Sequence, residues 1–330
     1  MVENSPFFPL VSVLIPTYNA GEYLRPALQS ILSQSYKRLE IFVIDDGCTD
    51  DCIDTIKDIG DKRVHILIQK NFGKATALNN ALRMINGDFW IIQDADDLSH
   101  PERVREQLVE LINNPDLASA YTGHDLLIKA CQFAPTFSSM NREQCKSEIL
   151  NFRIPAHDAT GMYRTEYTKD IFFDPELRIG QGIDFVLRIG ENFPIIVLAK
   201  CLYTYRINYK STIRKDPKNN AIWVEKVISK AQARRREVFR EKNSIKTMQY
   251  KTNKRAKNNH IVSHCINSIY DFKKLNKIKV PILIGCNCIK LNFFDIYFYK
   301  PLFLALTPLF IISLYKKIKI YNNKSNGVVG

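Results

Sequence analysis

The stretch Phe89-Trp-Ile-Ile-Gln-Asp-Ala-Asp-Asp97 most restricts what this chain can become. Four apolar residues, aromatic or β-branched, run directly toward three carboxylates. So short and apolar a run reads as a strand covered on both faces, as in a parallel sheet. Asp94, Asp96 and Asp97 then stand at its C-terminal end, the edge where open α/β sheets bind ligands. Crowded carboxylates repel one another unless a cation or hydrogen-bond donors lie among them. Mg²⁺ favours one or two carboxylates combined with substrate phosphates. A divalent-cation site is one reading. A solvated acidic turn leading into a helix from Pro101 is the other.

The surrounding chain repeats strand and helix. Val11 to Ile15 is an apolar run stopped by Pro16, and Tyr23 to Leu32 follows helical spacing. Leu39 to Ile44 is a second strand ending in Asp45-Asp46-Gly47. A helix is expected over Asp50 to Ile59, a strand over Val64 to Ile68, and a helix over Lys74 to Met84 stopped by Asn86-Gly87. A further helix from Pro101 ends at Asn113-Asn114-Pro115. This alternation predicts an α/β fold with a mostly parallel central sheet flanked by helices. The two acidic tips, Asp45-Asp46 and Asp94 to Asp97, fall on one edge of it, over a crevice that a nucleotide would fill. Residues 122–155 lack a clear period and read as loops. Ile195 to Leu198 and Leu202 to Tyr205 read as strands, and Asn220 to Lys242 as a long basic helix.

Charge is uneven along the 330 residues. The net charge is +13, most carboxylates lie before residue 126, and residues 206–324 are rich in Lys and Arg. A basic surface for an anionic partner follows. No zinc finger or aromatic RNA-binding motif accompanies it, so nucleic acid is not the expected partner. The eight cysteines lack CxxC spacing and read as free thiols of a reducing cytosol. Met1 to Pro9 lacks the charge and apolar run of a signal peptide. Pro301 to Tyr315 is an uncharged apolar run flanked by Lys300 and Lys316-Lys317. It is short for a span of about 20 residues. Two alternatives stay open: a segment near 291–320 lying on the inner leaflet, with lysines on anionic headgroups, or a helix packed on the catalytic domain.

Four segments occur in register over about a hundred residues: Val11-Ser-Val-Leu-Ile-Pro-Thr-Tyr-Asn19, Val43-Ile-Asp-Asp-Gly-Cys-Thr-Asp50, Asn71-Phe-Gly-Lys-Ala-Thr-Ala-Leu-Asn79 and Gln93-Asp-Ala-Asp-Asp97 followed by Pro101-Glu-Arg103. In these the chain resembles family 2 glycosyltransferases of the GT-A, Rossmann-like nucleotide-diphospho-sugar fold. The resemblance weakens after residue 210. It implies a catalytic domain over 1–215 and a helical, basic extension over 216–330. It implies inverting transfer of a sugar, most often from UDP, to a glycan or lipid-linked acceptor of a cell-surface polysaccharide. It implies Mn²⁺ or Mg²⁺ as cofactor and a cytoplasmic site of action, with the inner membrane surface as a candidate partner. Pro16 and Tyr18 match positions that pack the nucleotide base, and Asp46 the carboxylate that hydrogen-bonds it. Thr17, Asn19, Asn71, Gly73, Lys74, Asn79 and Ala95 lie in the matching donor-side segments. Asp94 and Asp96 match the DxD pair that binds ribose and metal.

The segment Gln181-Gly-Ile-Asp-Phe-Val-Leu-Arg188 departs from the family's Glu-Asp base motif. Aligned on Arg188, Gln181 and Gly182 replace the pair; aligned on Asp-Phe, Asp184 is the Asp and Ile183 replaces Glu. Asp184 is the expected catalytic base, with an ordinary helix N-cap as its alternative role and Asp158 as the next acidic candidate. The departure also suggests an alternative function, a nucleotide-sugar-binding homologue that does not transfer. Arg206-Ile-Asn208 stands where many members have Arg-x-His. His157 is read either as facing the acceptor or as hydrogen-bonded to Asp158.

Overall fold

The computed structural model describes residues 9–128, 131–133, 139–206, 220–242 and 296–308, with isolated positions between 266 and 289. The chain divides into two units: Met1–Ser211 with Val227–Thr247, and Thr212–Lys226 with Met248–Gly330. The strands are β1 (Val11–Thr17), β2 (Leu39–Asp46), β3 (Val64–Gln69), β4 (Phe89–Ile92), β5 (Leu98–Ser99), β6 (Ser119–Ile128), β7 (Cys131–Phe133), β8 (Gly161–Arg164) and β9 (Ile195–Arg206). The helices of the first unit are α1 (Leu24–Leu32), α2 (Lys74–Leu82), α3 (Arg103–Asn113), α4 (Arg142–Leu150), α5 (Thr165–Thr168) and α6 (Gln181–Asn192). Helix α7 (Asn220–Lys242) begins in the second unit and continues in the first.

Strands β3, β2, β1 and β4 lie side by side and parallel. Their registers pair Thr17 with Asp45, Asp46 with Gln69, and Leu14 with Ile92. The tips of β1, β2 and β4 therefore finish at one edge. Val13, Ile15, Ile41, Val43 and Ile91 are buried beneath Leu28, Ile31, Val104 and Leu108. Burial at about 25 cal/mol per Å² of apolar surface holds this layer together. Pro26 sits in the first turn of α1, where its missing N–H has no intrahelical partner to lose.

The second half of the sheet is mixed. Strand β8 runs antiparallel to β4 and β6, β9 parallel to β6, and β5 antiparallel to β9. Four points differ from the sequence reading. Asp50 to Ile59 holds only a 3-10 turn at Asp54–Ile56. Residues 122–155 are more regular than expected, carrying the end of β6, then β7 and α4. The two strands expected over 195–205 are one, β9, which bends through irregular pairing near Gly123. Helix α3 starts at Arg103, two residues after Pro101.

Among the described residues no helix is long and apolar enough to cross a membrane. In the second unit a short helix, Lys300–Leu306, carries Phe303 at 75% exposure, with Leu306 and Ile296 also exposed. The remainder of the apolar run, residues 309–315, lies outside the described residues.

Candidate functional site

At the tip of β2, Asp46 is buried and accepts three hydrogen bonds. Gln69 Nε2 donates at 2.8 Å, and the N–H groups of Phe72 and Gly73 each donate at 2.9 Å. Asp46 thus fixes the loop before α2. Gly73 has φ +90°, a conformation that β-carbon sterics make costly for other residues, and it turns the chain so that Lys74 opens α2. Lys74 Nζ then lies 2.5 Å from Asp94 Oδ1 at the tip of β4.

The four-residue turn after β4 is crowded with negative charge. Burial opposes ionisation of Asp94, but Lys74 and then His157 hold it below the usual carboxylate range. For Asp96 the balance goes the other way: burial, then Asp94's charge, push it up to about 6 against the weaker pull of Lys74 and Arg206. Asp97 is fully buried and raised well above the ordinary value by burial, then by Asp96 and Asp94. Its oxygens accept from the Tyr203 hydroxyl at 2.8 Å and the Arg206 N–H at 2.7 Å. The Asp94 N–H donates to the same Tyr203 oxygen at 3.3 Å, and Arg206 Nε donates to the Asp96 carbonyl at 2.8 Å. Strand β9 therefore shapes the acidic turn from outside. In the sequence Asp97 stood out only as a third carboxylate of the acidic tip and Arg206 only as the start of Arg206-Ile-Asn208, while Tyr203 carried no signal beyond its place in an expected strand.

Asp94 and Asp96 supply two carboxylates whose like charges raise each other's cost of ionisation. That suits a hard cation sharing its remaining positions with a diphosphate. Among the described residues a three-ligand cluster forms elsewhere, where ligand atoms of Cys48, Asp50 and Cys52 lie within 4.8 Å of one another. Burial raises both thiols.

Arg103 carries the floor of the site. It is fully buried, and burial lowers its guanidinium to about 10. It donates to Ser99 Oγ at 2.9 Å, to Gln107 Oε1 at 3.2 Å and to the Ala159 carbonyl at 2.6 Å. Its guanidinium also lies 4.9 Å from the centre of the Tyr203 ring. The segment 157–161 is thereby tied to the end of β4. Asp158, 6% exposed, stands in that segment; Tyr163 donates to its carbonyl at 2.6 Å. His157 Nδ1 lies 3.2 Å from Asp158 Oδ1 and accepts from the Ala159 N–H at 3.3 Å.

The other expected site residues differ in how far the fold engages them. Asn79 is buried, and its amide closes on both backbone groups of Phe173, each at 2.8 Å. Thr17 is buried with its hydroxyl on the Ile15 carbonyl. Asn19, at φ +50°, exchanges bonds with Thr49. Tyr18 is 50% exposed beside half-buried Pro16, leaving its ring available to a base. Asn71 is exposed and Ala95 buried at the same edge.

The expectation that Asp184 is the base meets a different geometry. Asp184 is 1% exposed, with Arg188 Nε 2.8 Å from one oxygen and Arg234 Nη1 2.7 Å from the other. Both of its oxygens are thus engaged by guanidinium groups, inside the protein rather than at the donor edge. Nor is it an N-cap: Gly180 holds that position, and Asp184 lies one turn inside α6. Arg235 pairs with Glu191 at 2.8 Å, and Lys230 with Asp174 and Glu176, so the row of contacts docks α7 on α6 and the preceding loop. This network couples residues about fifty positions apart, which spacing does not reveal.

A family model described as Glycosyl transferase family 2 matches residues 12–172, the stretch carrying β1 to β4, the acidic turn and β8. An uncharacterized glycosyltransferase of Haemophilus influenzae is 33% identical over 224 residues, 62% of this chain and 67% of that protein. The putative teichuronic acid biosynthesis glycosyltransferase TuaG of Bacillus subtilis is 34% identical over 122 residues, 36% of this chain and 48% of its own. The chain spans only 40% of an uncharacterized Rickettsia typhi glycosyltransferase to which it is 32% identical over 128 residues, 38% of its own length. Among solved structures, S. aureus TarS 1-349 in complex with UDP-GlcNAc has a TM-score of 0.57 at 17% identity, over 85% of this chain and 81% of that one. The mannosyltransferase PcManGT of Pyrobaculum calidifontis, in complex with GDP-Man and Mn²⁺, has a TM-score of 0.56 at 15% identity, over 91% and 86%. These two share the GT-A fold. With a third of the aligned residues identical across two thirds of the Haemophilus influenzae glycosyltransferase, and the family's own pattern running through its acidic strand ends, this chain belongs to glycosyltransferase family 2.

Proposed function

We propose that the chain transfers a sugar from a nucleotide diphosphate to a hydroxyl of a glycan or lipid-linked acceptor, with inversion, during cell-surface polysaccharide synthesis. The observation that carries this is the edge where β1, β2 and β4 end together, with Tyr18, Asp46, Lys74, Asp94 and Asp96 gathered on it. The names of TuaG and TarS's UDP-GlcNAc complex support a polysaccharide role and a UDP donor.

In this reading Asp94 and Asp96 would hold Mn²⁺ or Mg²⁺, which would supply positive charge to offset that of a nucleoside diphosphate. Lys74 adds a second positive charge, Tyr18 stacks on the base, and Asp46 keeps the Asn71–Gly73 loop in place. The domain arrangement we favour is a catalytic first unit and a basic extension. The exposed Ile296, Phe303 and Leu306, among lysines, favour contact of that extension with an anionic membrane surface. A panel of UDP-, GDP- and dTDP-sugars with Mn²⁺, read by nucleoside diphosphate release, tests the reading; no release from any donor would refute it. A non-transferring sugar-nucleotide binder is the second reading, favoured by Gly182 standing where the family's motif has a carboxylate. It predicts nucleotide binding without release in the same assay.

A further inference from the structure

We propose that Asp158 is the general base of the transfer, and that residue 182 is glycine because the Asp158 carboxylate fills the space its side chain would need. The inference rests on the transferase reading. A β-carbon built on Gly182 would lie 2.3 Å from Asp158 Cγ, 2.4 Å from Oδ2 and 2.5 Å from Oδ1. All three carboxylate atoms thus cover one face of this residue. Backbone conformation does not demand glycine there, since Gly182 is helical and absent from the left-handed positions. Glycine inside a helix costs about 0.5–1 kcal/mol relative to alanine, so something else favours it, and the contact with Asp158 supplies the reason.

Aligned on Arg188, position 182 is where the family motif carries its second acidic residue. A carboxylate is present at that place in space, but it arrives from the segment before β8. Its support is rigid: Tyr163 holds the Asp158 carbonyl, Arg103 holds the next one, and Tyr163 stacks on Trp90 with ring centres 4.4 Å apart. Asp158 also stands close to the donor edge, because Arg103 Nη2 reaches both the Ala159 carbonyl beside it, at 2.6 Å, and the Ile92 carbonyl at the end of β4, at 3.3 Å. Asp184, in contrast, is committed to Arg188 and Arg234. In the step itself the acceptor oxygen forms a bond to the anomeric carbon as the bond from that carbon to the phosphate oxygen breaks. The electron pair leaves with the nucleoside diphosphate, and the acceptor's hydroxyl proton passes to Asp158.

The test uses the full chain and the donor that wild-type protein turns over best in the panel, with UDP and Mn²⁺ as the binding probe. Asp158→Asn should lower turnover roughly 10²- to 10⁴-fold, the range for a lost general base, with UDP–Mn²⁺ affinity and melting temperature unchanged. Gly182→Ala should lower turnover likewise, since its methyl displaces the carboxylate. The double variant Asp158→Gly, Gly182→Asp returns a carboxylate to the same place from the other side, and should exceed Asp158→Gly alone. Near-normal turnover in Asp158→Asn would overturn the proposal. So would parallel loss of UDP affinity, which would make Asp158 a donor-site residue, or a double variant no better than Asp158→Gly. Wild-type protein silent with every donor would instead refute the transferase reading, and the base with it.

Discussion

Lys74 Nζ stands 2.5 Å from Asp94 Oδ1, joining the first residue of α2 to the turn after β4. Burial opposes both charges, yet their attraction, with Asp158 adding to it, leaves Lys74 raised and Asp94 lowered. The ammonium therefore offsets carboxylate charge that would otherwise attract a divalent ion and repel a diphosphate. Lys74→Ala should bind Mn²⁺ alone more tightly and UDP–Mn²⁺ more weakly, each by roughly tenfold, the effect of ~1.4 kcal/mol. Calorimetric titration of both ligands checks this. A change of the same sign for both would contradict the arrangement.

Asp96 makes the same turn sensitive to pH. Its carboxyl is raised to about 6, against about 3.9 in an unfolded chain. The folded state holds the proton more tightly, so this contribution is complete below about pH 4 and is lost as pH rises through about 6. At ~1.4 kcal/mol per pH unit it amounts to at most ~3 kcal/mol. Asp96→Asn cannot ionise, so it should flatten the decline in thermal stability between pH 4 and 6, melt higher than wild type at pH 7, and lose transfer.

Asn79 separates a brace from a ligand contact. Removing its amide leaves the N–H and carbonyl of Phe173 without these partners in a buried place. Asn79→Ala should cost about 2 kcal/mol of stability, given ~1–3 kcal/mol for each buried group left unpaired. Urea denaturation measures this. A variant of unchanged stability but weakened UDP binding would return Asn79 to the donor site.

Asp184→Asn should act on stability more than on chemistry. It removes the charge paired with Arg188 and Arg234 in a buried setting, a change that costs about 3–5 kcal/mol when one partner is lost. Turnover per folded molecule, measured below the melting transition, should stay near wild type. A 10²-fold fall in turnover at unchanged stability would restore Asp184 as base.

The extension offers a separate measurement. Phe303 and Leu306 are exposed on the short helix Lys300–Leu306. Full-length protein should co-sediment with vesicles of phosphatidylserine and phosphatidylcholine. Replacing both residues with Ser should lower that binding roughly tenfold, since exposed apolar area drives insertion at about 25 cal/mol per Å². Equal sedimentation of the two forms would exclude this helix as the contact.

The parallel half of the sheet and its acidic tips were readable in the sequence because their cause is local. An unbroken apolar run such as Phe89 to Ile92 must be covered on both faces, and a carboxylate beyond it must lie at the strand's end. Four such segments in order were enough for the family. Position 182 shows where that reasoning stops. The sequence records a glycine where a carboxylate is expected and an aspartate 24 positions earlier, but spacing along a chain does not encode distance across it. Only folding, by packing the segment around Asp158 against the first turn of α6, sets one on the other. The same holds for Asp184. Its place before an apolar helical run suited a base or a cap, and the guanidinium of Arg234, 50 residues later, made it an anchor. Tertiary packing decides what each carboxylate does, because neighbours brought from distant parts of the chain, rather than residue type, set the contacts it makes.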